Sequence, residues 1–201
     1  MKALLASANP GKLRELRRTL PGWQIEPLAV DEYPPEVGET YYENARAKAV
    51  FGRTLDRSGA WVLGEDSGLE VEGLGGAPGI RSARFAGELH VDRLLTELEG
   101  VEGGGRRARY VCELVALSPE GDEQRGTGVL EGRIGHEPRG TGGFGFDPIF
   151  VPHGHDRTVA ELGDDWKAEN SHRARAAQAL RRDLERPPGP PRAAANGLAT
   201  S

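Results

Sequence analysis

Ala60-Trp-Val-Leu-Gly64-Glu-Asp-Ser-Gly68, running on through Leu69-Glu-Val-Glu-Gly-Leu-Gly-Gly-Ala-Pro-Gly79, sets an apolar run against two adjacent acids, a hydroxyl and a cluster of glycines. The apolar run reads as a short buried strand over 60–65. The glycines then punctuate the chain before a second strand at roughly 69–72. Carboxylates at the end of a strand, beside a chain that can approach a ligand closely, point to a metal or a polar substrate. The competing reading is a surface turn with solvated acids. Glu-Asp-Ser-Gly alone does not decide between them, and the flanking segments must.

Outward from that stretch, strands and helices alternate. Lys2 to Ser7 reads as a strand, Gly11 to Leu20 as a helix, and Trp23 to Ala29 as a second strand. Thr40 and Glu43 have capping-box spacing and open a helix running to about Asp56. His90 to Glu99 is a helix closed by Gly100. Arg107 to Ser118 alternates, with Tyr110, Cys112, Leu114 and Ala116 on one face. The turn Pro119-Glu-Gly-Asp122 joins it to a partner strand over about 123–135, a hairpin. A short strand at 149–151 and a last helix at 171–185 follow. Early βαβ alternation with a later hairpin predicts an α/β fold with a mixed sheet. Residues 1–186 read as one domain, and 187–201, rich in Pro, Gly, Ala and Ser, as a disordered tail.

Composition narrows the function. A net charge of −5 over 201 residues gives no general affinity for nucleic acid or acidic membranes. An anionic ligand therefore needs a local basic pocket. The single cysteine, Cys112, excludes an intrachain disulfide framework and reads as a small core residue. The apolar start Ala3-Leu-Leu-Ala6 is too short for a signal peptide, and no segment is long enough to span a membrane. A cytoplasmic protein is expected.

Four places carry polar residues that structure alone does not require. In Ser7-Ala-Asn-Pro-Gly-Lys12, Asn9 suits an N-cap and Pro10 the first helical position. Lys12, however, is a cation in the first turn and opposes the helix dipole unless an anion sits there. In the helix from Thr40, Tyr41, Ala45, Ala49, Gly52 and Leu55 fall on one side, with Lys48 among them and Asn44 near the edge. An inward lysine snorkels out or meets an acid or ligand. In the last helix, Arg173 heads the stripe Ala177, Leu180 and Leu184, capped by Ser171. It meets either a ligand's anion or carbonyl, or a structural carboxylate such as Asp147. In Gly140-Thr-Gly-Gly-Phe-Gly-Phe-Asp-Pro148, Phe144 lies between glycines; it stacks on a flat base or plugs the core.

The ordered set Ser7-x-Asn-x-x-Lys12, Glu43-Asn-Ala45 with Lys48, Asp66-Ser-Gly68, Leu74-Gly-Gly-Ala-Pro-Gly79, Ser82-Ala-Arg84, Gly140 to Pro148 and Ser171-His-Arg173 resembles the inosine triphosphate pyrophosphatase family, also called XTP/dITP diphosphatase. The match covers about residues 2–185. The resemblance implies an elongated mixed sheet with flanking helices, and two lobes around a central nucleotide-binding cleft. It also implies a homodimer and Mg2+-dependent cleavage of ITP, dITP and XTP to the monophosphate and pyrophosphate. By the same resemblance, Ser7, Ala8, Asn9, Pro10, Gly11 and Lys12 hold the triphosphate with Lys48. Asp66 is the metal-associated proton acceptor, and Ser67 contacts substrate. Phe144 stacks on the purine beside Gly145, Phe146 and Asp147, while Lys167, His172 and Arg173 contact the base. Glu65 departs from the paired aspartates usual in the family. Glu36 is chosen as the second metal carboxylate. The alternatives are a related pyrophosphatase acting on modified pyrimidines and a nucleotide-binding regulator without catalysis.

Overall fold

The computed structural model describes residues 1–85 and 87–185. The expected tail, 187–201, lies outside the described residues. The elements run β1 (Lys2–Leu5), α1 (Pro10–Thr19), β2 (Gln24–Pro27), α2 (Tyr41–Leu55), β3 (Trp61–Val71), α3 (His90–Glu97), β4 (Arg107–Leu117), β5 (Glu123–Ile134), β6 (Phe150–Pro152), α4 (Val159–Asn170) and α5 (His172–Leu184). They build one six-stranded mixed sheet in the order β2-β1-β3-β4-β5-β6. The β2-β1-β3 edge is parallel and the rest antiparallel. The predicted hairpin and βαβ unit are both present, and among the described residues no helix is long and apolar enough to cross a membrane.

Residues 60–72 do not form two strands broken by a glycine turn. They form one strand of 11 residues, paired without interruption from Val62–Leu117 to Val71–Ala108. The glycines are there because neighbouring backbone approaches too closely for a side chain. A Cβ on Gly64 would lie 2.0 Å from the carbonyl oxygen of Ala45 in α2, and one on Gly68 2.2 Å from that of Gly79. Gly126 and Gly128 of β5 do the same beneath α5, where added Cβ atoms would lie 2.0 Å from the Ala176 and His172 carbonyl oxygens.

The long strands pass through two apolar cores. In one, Leu63, Cys112, Leu114 and Ala116 pack under α1 and α5 against Leu16, Ala176 and Leu180. In the other, Leu69, Val71, Ala108 and Tyr110 pack with Leu94, Phe146, Phe150 and Val159. Cys112 is buried, as expected. The polar middle of β3, Glu65-Asp66-Ser67, falls between the two cores, and the fold's cleft opens there.

Local chemistry sets the helix starts that face this cleft. The Asn9 side chain caps α1, accepting from the backbone N–H of Gly11 at 2.8 Å and of Lys12 at 3.3 Å. Thr40 and Glu43 form the predicted capping box. Ser171 caps α5 through the Ala174 N–H at 3.1 Å. Helix α4 is an element that the periodicity did not reveal. Its capping box, Thr158 with Glu161, is legible in the sequence, but Gly163 interrupts the helix with φ 84° and hides the pattern. In α2, Leu55 is 47% exposed rather than inward.

Candidate functional site

A cleft of about 270 Å3 opens beside the polar middle of β3. Asn9 and Lys12 come to it from α1, and Ser67 from β3. Phe144, Gly145, Phe146 and Asp147 come from the glycine loop, and Lys167, His172 and Arg173 from α4 and α5. Ten residues singled out from the sequence, scattered over 160 positions, thus share one cavity wall. Tyr110, Leu69, Ser82 and His90 are among the others that line it. Ser7, Ala8 and Pro10 shape the turn into α1 instead. The Ser7 hydroxyl accepts from the Asn9 N–H at 3.2 Å. Gly11 lies under the Phe144 ring, where an added Cβ would come within 2.8 Å of a ring carbon.

Phe144 stands in front of two cations, 4.6 Å from Lys167 Nζ and 5.5 Å from the Arg173 guanidinium carbon. Behind it the Asp147 carboxylate accepts from the Phe144 N–H at 2.7 Å and from Lys167 Nζ at 2.6 Å, which fixes the loop. Phe146 turns inward and joins the second core, 4% exposed, so Phe144 alone of the pair offers a free face. Asp147 is not the partner of Arg173. Arg173 donates to Glu65 Oε1 at 3.1 Å and to the Ser67 hydroxyl at 2.9 Å, and pairs with Glu15. Glu15, which the sequence reading missed, also pairs with Lys167. The available signal was its spacing, three residues after Lys12 on the same helix.

Burial and pairing set the charges here. Burial works against the Glu15 carboxylate, but Arg173 and Lys167 outweigh it and lower its pKa. Burial raises the pKa of Asp147 despite Lys167 and the Phe144 N–H. His172 is buried against Tyr110, ring centroids 4.6 Å apart and nearly parallel. Burial, helped by the positive charge of Arg173, pushes its pKa well below the ordinary 6.5, so the ring is neutral at pH 7. Among the described residues its Nδ1 has no hydrogen-bond partner.

The other end of the site lies beyond Ser67. Because strand side chains alternate, Glu65 and Asp66 leave β3 on opposite faces. Asp66 faces α2: its Oδ1 accepts from Lys48 Nζ at 2.9 Å and its Oδ2 from the Asn44 amide at 3.2 Å. Glu36 pairs with the same Lys48 ammonium, and with Arg84 at 3.1 Å. Asn44 accepts from the Gly38 N–H at 2.9 Å, so one buried amide ties the loop carrying Glu36 to Asp66. Burial raises the pKa of Asp66 in spite of Lys48 and Lys12. Glu65 turns to the other layer, where its Oε2 lies 2.6 Å from Lys12 Nζ. The anion that Lys12 calls for in the first turn of α1 is therefore the protein's own Glu65.

Asp66 and Glu36, hard carboxylates meeting at one ammonium, suit Mg2+; Glu65 does not belong to this donor set. Among the described residues no three carboxylate, histidine or cysteine side chains gather into a ready-made shell, so further ligands would come from phosphate and water.

Comparisons with known proteins place the chain and its fold. A family model described as the Ham1 family matches residues 3–183. A curated relative from Bacillus licheniformis, named dITP/XTP pyrophosphatase, is 42% identical over 190 residues, covering 89% of this chain and 95% of its own. One of the same name from Thermus thermophilus is 43% identical over 189 residues, 90% of each chain. The solved structure of the Staphylococcus aureus Ham1 protein superposes with a TM-score of 0.79 at 33% identity, covering 92% of this chain and 98% of that one. A HAM1 protein from Coxiella burnetii gives 0.77 at 34% identity, with the same coverage. With its mixed six-stranded sheet and a match that runs nearly end to end, this chain belongs to the Ham1 family.

Proposed function

We propose that this protein hydrolyses dITP, XTP and ITP to the nucleoside monophosphate and pyrophosphate. The observation that carries the reading is the division of one site into two ends. Phe144 backed by Lys167 and Arg173 suits a flat base rich in carbonyls. Lys12, Lys48 and the carboxylates Asp66 and Glu36 suit a triphosphate with its counter-ion. The name dITP/XTP pyrophosphatase, borne by relatives that match along almost their whole length, supports it.

In this reading the purine stacks on Phe144, against the wall formed by Gly145, Phe146 and Asp147. Lys167, Arg173 and the unpartnered His172 Nδ1 meet its polar edge. Hypoxanthine and xanthine carry a 6-oxo group where adenine has an amine. An amine facing these buried cations loses a hydrogen bond, at a cost of roughly 1–3 kcal/mol. The turn into α1 and the helix's first turn, from Ser7 to Lys12, hold phosphate oxygens together with Lys48, and Ser67 contacts substrate. Asp66 accepts the proton of the attacking water, directly or through a water it orients. Lys12 and Lys48 stabilise charge on the departing pyrophosphate. Asp66 and Glu36 would hold Mg2+, which when bound neutralises phosphate charge and polarises its oxygens. The enzyme works as a homodimer in the cytoplasm, without a nucleic-acid or membrane partner.

The test is pyrophosphate release, with Mg2+ present, from ITP, dITP, XTP, GTP, ATP and dUTP. Turnover of the first three well above the others is expected. No release from any purine contradicts the proposal, preference for dUTP indicates a pyrimidine enzyme, and binding of ITP without turnover indicates a regulator.

A further inference from the structure

Glu65 is the residue at which the two ends of the cleft are joined. It is wholly buried, and it lies on the sheet face away from Asp66. One carboxylate oxygen lies 2.6 Å from Lys12 Nζ, in the first turn of α1. The other accepts from Arg173, in the first turn of α5, with Nε at 3.1 Å and Nη2 at 3.0 Å. The same oxygen lies 3.4 Å from Cys112 Sγ. Arg173 runs on to Ser67 and Glu15, and Glu15 to Lys167, which holds Asp147. Charges of alternating sign therefore run from Lys12 at the phosphate end to Asp147 at the base end, and among the described residues the ion pairs that join α1, α5 and β3 pass through Glu65 or Glu15.

We propose that Glu65 is a positioning residue, not a metal ligand, with two effects on one substrate. It fixes the Arg173 guanidinium for base selection. It also partly neutralises Lys12, so that the triphosphate and the pyrophosphate product are held less tightly. A buried anion beside an anion-binding lysine weakens the ground-state binding of any polyphosphate. It also leaves the lysine's charge available when negative charge grows on the leaving group. The inference rests on the proposed substrates, but its readouts do not all depend on turnover.

The variant Glu65→Gln keeps the shape and removes the charge. It is expected to bind inorganic pyrophosphate about fivefold to tenfold more tightly, while its preference for dITP over dATP in binding falls on the order of tenfold. Glu65→Asp keeps the charge on a shorter stem, and should restore pyrophosphate affinity to near that of the parent. A residue that merely supports the fold would weaken every ligand together and would not tighten pyrophosphate. Should Glu65→Gln not fold, Glu65→Gln combined with Lys12→Met removes one buried charge of each sign. Its dITP-over-dATP binding ratio, compared with that of Lys12→Met alone, isolates the hold on Arg173. A folded Glu65→Gln with unchanged pyrophosphate affinity and unchanged selectivity overturns the inference, as does a double variant no less selective than Lys12→Met. If the parent fails to turn over dITP, the proposed function falls, while the pyrophosphate measurement still decides the role of Glu65.

Discussion

Lys48 Nζ lies 2.9 Å from Oδ1 of Asp66, donates to the backbone carbonyl of Glu65 at 3.0 Å, and pairs with Glu36 on its open side. One ammonium from α2 thus gathers the two carboxylates that the proposed reaction needs. Asp66→Asn keeps an oxygen for Lys48 to bond but no longer accepts a proton. Turnover of dITP should fall by about 100-fold or more, with circular dichroism and the melting temperature close to those of the parent. Activity within a few-fold of the parent would remove Asp66 from the role of base.

Asn44 bridges the same two carboxylates at one remove, through the Asp66 side chain and the Gly38 N–H. Asn44→Ala frees the loop that carries Glu36. The expected result is a rise of roughly tenfold or more in the Mg2+ concentration giving half-maximal activity, with turnover at saturating Mg2+ changed far less. An unchanged Mg2+ dependence would show that this amide does not set the carboxylates.

The Phe144 ring lies so close over Gly11 that an added Cβ would come within 2.8 Å of it. The ring is partly exposed and yields more readily than backbone does. Gly11→Ala should therefore raise the KM for dITP about fivefold through a displaced ring. Stability should not fall, since alanine favours a helix over glycine by about 0.5–1 kcal/mol. Loss of stability with an unaltered KM would contradict this placement of the ring.

His172 is neutral when folded, its pKa depressed below the ordinary 6.5 by burial and Arg173. The unfolded chain takes up a proton near that value and the folded chain does not. The stabilisation is therefore present above about pH 6.5 and is lost as pH falls below it, by up to about 1.4 kcal/mol per pH unit. Denaturant unfolding between pH 8 and pH 5 should show this slope in the parent and not in His172→Asn. The same slope in both would place the titration elsewhere.

The α/β fold with its mixed sheet was legible in the alternation of strands and helices, and several side chains that line the cleft were legible as misplaced cations. Lys12, Lys48 and Arg173 stand out because each is a cation where its helix should be apolar or should carry an acid, and each is buried in the structure. Their partners were harder to find: Glu15 and Glu65 meet Arg173 from 158 and 108 residues away. The glycines of β3 misled because a glycine demanded by a neighbouring backbone looks, in one dimension, the same as a glycine demanded by a turn. Gly163 of α4 hides its helix for another reason, its φ of 84°. Residue spacing also left Glu65 and Asp66 equivalent. Strand alternation across two packed layers separates them, giving Asp66 to Lys48 and Glu65 to Lys12 and Arg173.

The central claim is that substrate is cut between its first and second phosphates. Phosphorus NMR of dITP, incubated with the protein and Mg2+, tests it most directly. The account predicts that dIMP and pyrophosphate appear in equal amounts with no orthophosphate. Orthophosphate with dIDP, or an unchanged dITP spectrum, would contradict it.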